Sequence, residues 1–418
     1  MADRENAGGK SRAALRQPSF LLFQTARSSM VLAMEMQSVA VGWQVYEITR
    51  RPLDLGLVGL VQFLPGILLF LVSGHVADRH DRRKLIILCY IAYALSFGLL
   101  LLTTLVATGS VSFIFAVLTL LGVVRAFNAP VSRALLPQLV PEEDFANAVA
   151  WASTFFQGAS ILGPAVGGVV YAAFRGPRAV YALAMGLTVV ALACAAKIKT
   201  QTRPRARVPV HWKNVLAGFH YIWREKVVLG SISLDLFAVF LGGAVALLPV
   251  YAKEILHTGP WGLGLLRTAP GVGAAAMALF LAHRPLRQKA GLAMLWCVAG
   301  FGIFTILFGL SRSLVLSLVA LFFVGATDMV SVIVRAILIQ VATPDEMRGR
   351  VNAVDMVFIG ASNEFGEFES GLTAQWFGTV PAVVLGGIGT LVVTAIWAWR
   401  FPELRKVERV GSLSSDAA

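Results

Sequence analysis

The chain has 418 residues, is 57% hydrophobic and only 14% charged, and has a mean hydropathy of +0.73. Soluble domains carry about a quarter charged residues, so a water-soluble core is a poor home for this much apolar surface, and lipid is the expected solvent. The net charge of +13 falls in short stretches between apolar runs, a pattern that orients helices in a bilayer and does not point to a nucleic-acid partner.

Residues 1–18 are polar and basic and lack a short apolar core with a cleavage site, so they read as a cytoplasmic tail and not as a cleaved signal. Apolar runs of about 20 residues, enough to span a bilayer, follow near 19–47, 54–77, 85–107, 111–136, 146–173 and 178–199. Six more lie near 227–252, 260–282, 290–310, 313–341, 349–373 and 380–400. The expected fold is therefore an all-α integral membrane protein of twelve transmembrane helices. The longest polar stretch, Thr200 to Lys226, divides it into an N-terminal six-helix bundle (19–200), a central cytoplasmic loop (201–226) and a C-terminal six-helix bundle (227–401). Within that loop, Trp212–Arg224 suits a short amphipathic surface helix anchored by Trp212, Phe219 and Tyr221. Residues 402–418 form a second cytoplasmic tail, expected to be disordered after Pro402.

Lys and Arg crowd every second loop, for example Arg79, Arg82, Arg83 and Lys84, whereas the segments around Thr108–Ser112 and Thr379–Pro381 have none. This alternation puts both termini in the cytoplasm. The halves repeat each other. Arg133-Ala-Leu-Leu-Pro-Gln138 matches Arg335-Ala-Ile-Leu-Ile-Gln340, and Gly158-Ala-Ser160 matches Gly360-Ala-Ser362, at one offset. Repeats of this kind build transporters that rock about a central site.

Ionisable side chains inside spans are costly in hydrocarbon and are the first functional candidates. The eleventh span reads Asn363-Glu364-Phe365-Gly366-Glu367-Phe368-Glu369; Glu364 and Glu367, three apart, share a face. Their repeat partners are Leu162 and Ala165, so the acids are not required by the architecture. Glu35 lies mid-span in the first helix beside Gln37, Arg125 in the fourth, Asp235 in the seventh, Arg267 in the eighth and Asp328 in the tenth. Buried carboxylates can exchange protons near neutral pH; fixed ion pairs, such as Glu364 with Arg267, are the bland alternative. Glu369 suits snorkelling outward, and Asp355 lies near the inner end, where it can join the cytoplasmic latch. Aromatics such as Trp43, Phe63, Phe127, Trp151, Phe155 and Phe156 suit packing better than a substrate site. The three cysteines and six histidines have no metal-ligand or disulfide spacing, and no P-loop or nucleophile elbow is present. No enzyme activity and no cofactor are expected.

The loop between spans two and three, Gly74-His-Val-Ala-Asp78-Arg79-His-Asp81-Arg82-Arg83-Lys84, resembles the signature loop of the major facilitator superfamily, in the same place. The resemblance implies a gating latch made by Gly74, Asp78, Arg79, Arg82 and Arg83, with Gly74 allowing close helix approach and the charges bonding helix ends of the other half. Asp81 stands where the family has glycine, which puts the local turn in question. Gly163, Pro164 and Gly167 in span five resemble the helix-kink motif of the superfamily's drug/proton antiporters. Gly42-Trp43-Gln44-Val45-Tyr46-Glu47-Ile48-Thr49, the Leu55-Gly56-Leu57-Val58-Gly59 run, Asn147-Ala148 and Asn363–Glu367 further resemble the enterobactin-exporter-like branch. That branch implies a secondary active transporter, exporting a small siderophore-like or drug-like molecule against protons by alternating access. It would act as a monomer in the bacterial inner membrane. Alternatives are a broad multidrug, macrolide or lysophospholipid transporter, and more remotely a non-transporting receptor or scaffold on this fold.

Overall fold

A computed structural model describes residues 13–106, 110–199, 212–284 and 289–406, without the side chains of 70, 71, 78 and 212–216. Every regular element among these residues is helical. The first half comprises α1 (Pro18–Thr49), α2 (Pro52–Leu68), α3 (Phe70–Arg79), α4 (Arg82–Leu105), α5 (Val111–Leu135), α6 (Phe145–Ala173) and α7 (Arg178–Lys197). The polar linker carries α8 (Trp212–Arg224). Then come α9 (Lys226–Leu241), α10 (Gly259–His283), α11 (Ala290–Leu310), α12 (Leu314–Ala342), α13 (Asp345–Phe377) and α14 (Thr379–Arg400). Helices α2 and α3 are one span interrupted at Leu69, four residues after Pro65; proline removes a backbone donor and loosens the turn before it. The seventh span is broken too. Helix α9 stops before Gly242, and 3-10, α and π turns carry the chain from Ala244 to Ile255.

Nine helices among the described residues are long and apolar enough to cross a membrane. Helices α1 and α13 are long as well but carry Arg27, Glu35 and Gln37, or Glu364, Glu367 and Glu369, inside the span. With α2–α3 they complete an all-α fold of twelve spans, as the apolar runs predict. The tail beyond residue 406, expected to be disordered, lies outside the described residues.

The chain divides into two compact units. One contains residues 1–44 and 61–209; the other contains 45–60 and 210–418. The segment 45–60 belongs to the first half by sequence but packs within the second unit. There Tyr46 donates to Glu254 at 2.5 Å, Lys253 pairs with Glu47 at 3.2 Å, and Arg50 stands 3.7 Å from Glu254.

Small residues set the helix spacing in the first unit. A Cβ on Gly167 of α6 would stand 2.8 Å from Met36 Cα of α1, and one on Gly163 would collide with the Glu35 side chain. The Gly163-Pro164-Gly167 motif therefore presses α6 onto α1, and α6 runs unbroken through Pro164.

Helix α8 forms where its amphipathic pattern predicts. It is held from within: Tyr221 donates to the Ala342 carbonyl at 2.6 Å, and Gly218 lies against the Arg350 backbone. Tyr221, expected as a membrane anchor, thus anchors to the end of α12, and burial pushes its phenol pKa up. Phe219 is exposed and meets Phe358 edge-on; the Trp212 side chain lies outside the described residues. Beyond α14, Glu403 pairs with Lys226 at 3.3 Å. Its own backbone amide, then Lys226, holds this carboxyl below its usual range.

Candidate functional site

The two acids of α13 meet at one point. A Cβ built on Gly59 of α2 would stand 2.6 Å from Glu364 Oε2 and 2.8 Å from Glu367 Oε2. Both carboxylates therefore converge on the bare backbone of Gly59. The approach is set by glycines on both helices: Gly56 would place a Cβ 2.8 Å from the Glu367 carbonyl, and Gly371 one 2.9 Å from the Pro52 carbonyl. Glu369, two residues on, accepts from Thr373 at 2.7 Å, a local bond on its own helix.

A cavity of about 170 Å³ opens beside Glu367. It is bounded by Gly242 and Gly243 at the break after α9, Phe301 of α11, Asp328 of α12, and Asn363 and Glu367 of α13. A smaller void shares Phe301 and Asp328 and reaches Asp235 and Ser331. Asp235 is pinned there. It pairs with Arg335 and accepts from Ser331 at 3.1 Å. Arg335 also reaches Asp355 through Nε at 3.5 Å. Arg335 is 3% exposed, so one buried guanidinium answers two carboxylates, each a partner the other charge needs in low dielectric. Asp355, read as a latch member, belongs to this buried network.

In the first unit Glu35 lies over Gly163, so α1 and the helix-kink motif come together. Gln37, two residues on, is buried. Arg125 of α5 acts electrostatically on Tyr93 of α4, whose hydroxyl is enclosed without a hydrogen-bond partner. Arg267 sits half-buried on α10. Of the aromatics, Trp43 packs edge-on against Tyr171 and Trp151 lies 5.8 Å from Phe155, both packing roles.

The basic loop is fastened to its own unit. Arg82 donates to the Ala134 carbonyl at 2.7 Å, and Arg83 to that of Ala196. These carbonyls end α5 and α7, where the helix dipole favours cations. Both acceptors belong to the same unit as the arginines. Asp81 replaces a flexible glycine with a cap: its Oδ1 accepts from the Arg83 and Lys84 amides at 2.9 and 3.3 Å, starting α4. Gly74, expected at a close approach, has open space where a Cβ would stand. Arg79 is exposed, and the Asp78 side chain lies outside the described residues. Arg348 repeats the device in the second half, donating to the Gln340 and Thr343 carbonyls at 3.0 and 3.1 Å.

Sequence reasoning did not reach three features. Gly59 lies in a run that resembles the family, and nothing in that run marks it as the floor of the acid pair. Arg335 marks the internal repeat, and an arginine flanked by apolar residues in a span is also a signal for a buried carboxylate partner. Arg27, on α1, has its guanidinium 5.5 Å from the centre of the Phe156 ring, a pairing across helices that spacing along the chain does not show.

Residues 10–417 match the sequence pattern of the family described as transmembrane secretion effector. The enterobactin exporter EntS of Shigella boydii serotype 4 (strain Sb227) is 26% identical over 392 residues, covering 93% of each chain. The crystal structure of a bacterial homolog to the human lysosomal transporter Spinster, inward-facing and occupied, superposes with a TM-score of 0.72 at 12% identity, over 92% of this chain and 97% of that one. The nucleoside transporter NupG gives 0.72 at 12% identity, over 92% and 100%. These likenesses give the fold, and the pattern match over nearly the full length gives the family. The chain is a multi-pass membrane transporter of the major facilitator superfamily and belongs to its transmembrane secretion effector family.

Proposed function

We propose that this transporter is a proton-coupled exporter of a small amphipathic molecule, siderophore-like or drug-like, working by alternating access. It acts as a monomer in the bacterial inner membrane with both termini in the cytoplasm. The observation that carries the reading is the convergence of Glu364 and Glu367 on Gly59. Two carboxylates brought to one spot repel when both are ionised, so such a pair takes up a proton or a cationic group and gives it back when its surroundings change. Glu367 also borders the cavity with Asp328, which gives the pair an internal polar neighbour. Glu35, seated on the Gly163 motif, is a third exchange candidate. Asp235, held by Arg335, keeps α9 and α12 in register. Arg125 and Arg267 add positive charge at mid-span, and the Gly74–Lys84 loop steadies the cytoplasmic helix ends. Export of a siderophore is supported by the relative's name, enterobactin exporter.

The test is flux in proteoliposomes with enterobactin as cargo and a trapped pH dye. The wild type should move cargo faster under an imposed pH gradient and acidify or alkalinise the lumen as it does so. Glu364→Gln and Glu367→Gln should each remove the gradient dependence while the protein stays folded. Gradient-driven flux at the wild-type rate in both variants would remove the pair from the mechanism.

A further inference from the structure

We infer that the first unit contains a binding site for an aromatic organic anion, built from Gln24 and Arg27 of α1 and Phe156 of α6, with Tyr90 of α4 and Arg133 of α5 beside it. The inference names a cargo class for the transporter proposed above and rests on that reading only in calling the ligand a cargo.

Gln24 and Arg27 are three residues apart on α1 and so share a face. Gln24 is 2% exposed, yet neither its Nε2 nor its Oε1 has a hydrogen-bond partner. An amide enclosed with nothing to bond is costly unless a ligand supplies the missing partner. One turn on, the Arg27 guanidinium stacks over Phe156. No carboxylate is paired with Arg27 among the described residues; the titratable groups whose fields reach it are Tyr90 and Arg133. Of the acids on the helices packed here, Glu35 on α1 lies eight residues along, about 12 Å of helix rise from Arg27. Arg133 adds a like charge to the field at Arg27, which favours an anion beside Arg27.

The shape of the ligand follows from the neighbours. A guanidinium offers a planar fork that matches a carboxylate or an acidic phenol pair. Phe156 is 40% exposed and has a ring face to offer, and its position under Arg27 favours a flat aromatic body. Gln24 can donate to an anionic oxygen and accept from a hydroxyl. Inorganic phosphate would use the arginines but neither Phe156 nor the apolar surroundings. An anionic lipid headgroup shares the charge, so the experiment must separate it from a soluble cargo. On the loop-charge reading, the start of α1 is the cytoplasmic end, the side from which an exported cargo enters.

The test is calorimetric titration of the full-length protein, in neutral detergent and without any gradient, using 2-naphthoate as probe and 2-naphthylmethylammonium as its cationic counterpart. The anion should bind and the cation should not. Arg27→Gln should weaken 2-naphthoate at least tenfold, Arg27→Lys and Phe156→Leu several-fold, and the exposed control Arg312→Gln not at all. Thermal midpoints of each variant establish that it is folded, and Gln24→Glu, which adds a negative charge without changing shape, should also weaken binding. Equal binding of both probes, or full affinity in folded Arg27→Gln, would overturn the site. Displacement of 2-naphthoate by phosphatidylglycerol but not by phosphatidylcholine would make it a lipid site and overturn the cargo assignment. Because binding is read without a gradient, loss of proton coupling in Glu367→Gln leaves this result untouched. Conversely, gradient-driven flux with no anion binding overturns this site alone.

Discussion

Arg133 and Arg335 occupy the same place in the internal repeat, and the structure treats them in opposite ways. Arg335 is buried between Asp235 and Asp355, whereas Arg133 is exposed. The same offset takes Asp235 to Ala33, Asp355 to Ser153, Glu364 to Leu162 and Glu367 to Ala165. The second half has therefore gained acids at four positions where the first has small or apolar residues. The first half has Arg27, Arg125 and Arg133, with Glu35 at the middle of its first span. One architecture thus carries two charge patterns, with four acids in the second half where the first half has none at the matching positions. The backbone repeat does not force that division, because each of these side chains is a local choice on a shared scaffold.

The contrast can be broken most directly at the paired arginines. Arg335→Leu strands two carboxylates in a low-dielectric interior and should cost about 3–5 kcal/mol, read as loss of folded protein or a sharp fall in the thermal midpoint. Arg133→Leu, at the exposed repeat position, should cost clearly less, because no carboxylate is stranded in a buried site. Equal losses would mean that the halves are not differentiated in this way. The acid pair gives the next effect. Gly59→Ala puts a methyl group where Glu364 and Glu367 converge and should slow gradient-driven flux at least tenfold, about 1.4 kcal/mol. Gly66→Ala, where a Cβ meets nothing within 4 Å, should leave flux unchanged and gain slightly in helix stability.

Two smaller effects sharpen the picture of how each half fixes its helix ends. Asp81→Ala removes the cap of α4 and should lower stability by about 1 kcal/mol. Asp81→Asn, which still accepts from the same amides, should recover most of it. Tyr221→Phe deletes the bond to the Ala342 carbonyl and should cost about 0.5–1.5 kcal/mol. Faster hydrogen exchange confined to α8 and the end of α12 would accompany it.

Much of this was legible before any coordinate. The spans follow from runs of apolar residues, and the break between the halves from the polar stretch at Thr200–Lys226. The acids of α13 stood out because a carboxylate inside an apolar run is a contradiction that demands a reason. Asp81 could be flagged as a departure from the expected glycine, but not as a cap, since capping depends on the φ/ψ of the residue and on where the next amides point. The carbonyls that Arg82 and Arg83 reach are hidden for the same reason: a basic loop announces its charge and not which helix end lies within reach.

Hydropathy and periodicity are properties of contiguous residues, so the sequence by itself determined the membrane class, the twelve spans, the repeat and the positions of charge along each helix. What faces what was decided only by tertiary packing. Asp235 and Ser331 are 96 residues apart and share a hydrogen bond; Gly59 lies under Glu364 and Glu367 because glycines let α2 and α13 close to backbone contact; Arg27 finds Phe156 across α1 and α6. A helix presents all its faces equally in sequence, and only the neighbours it packs against determine which of its charges are buried, paired or left for a ligand.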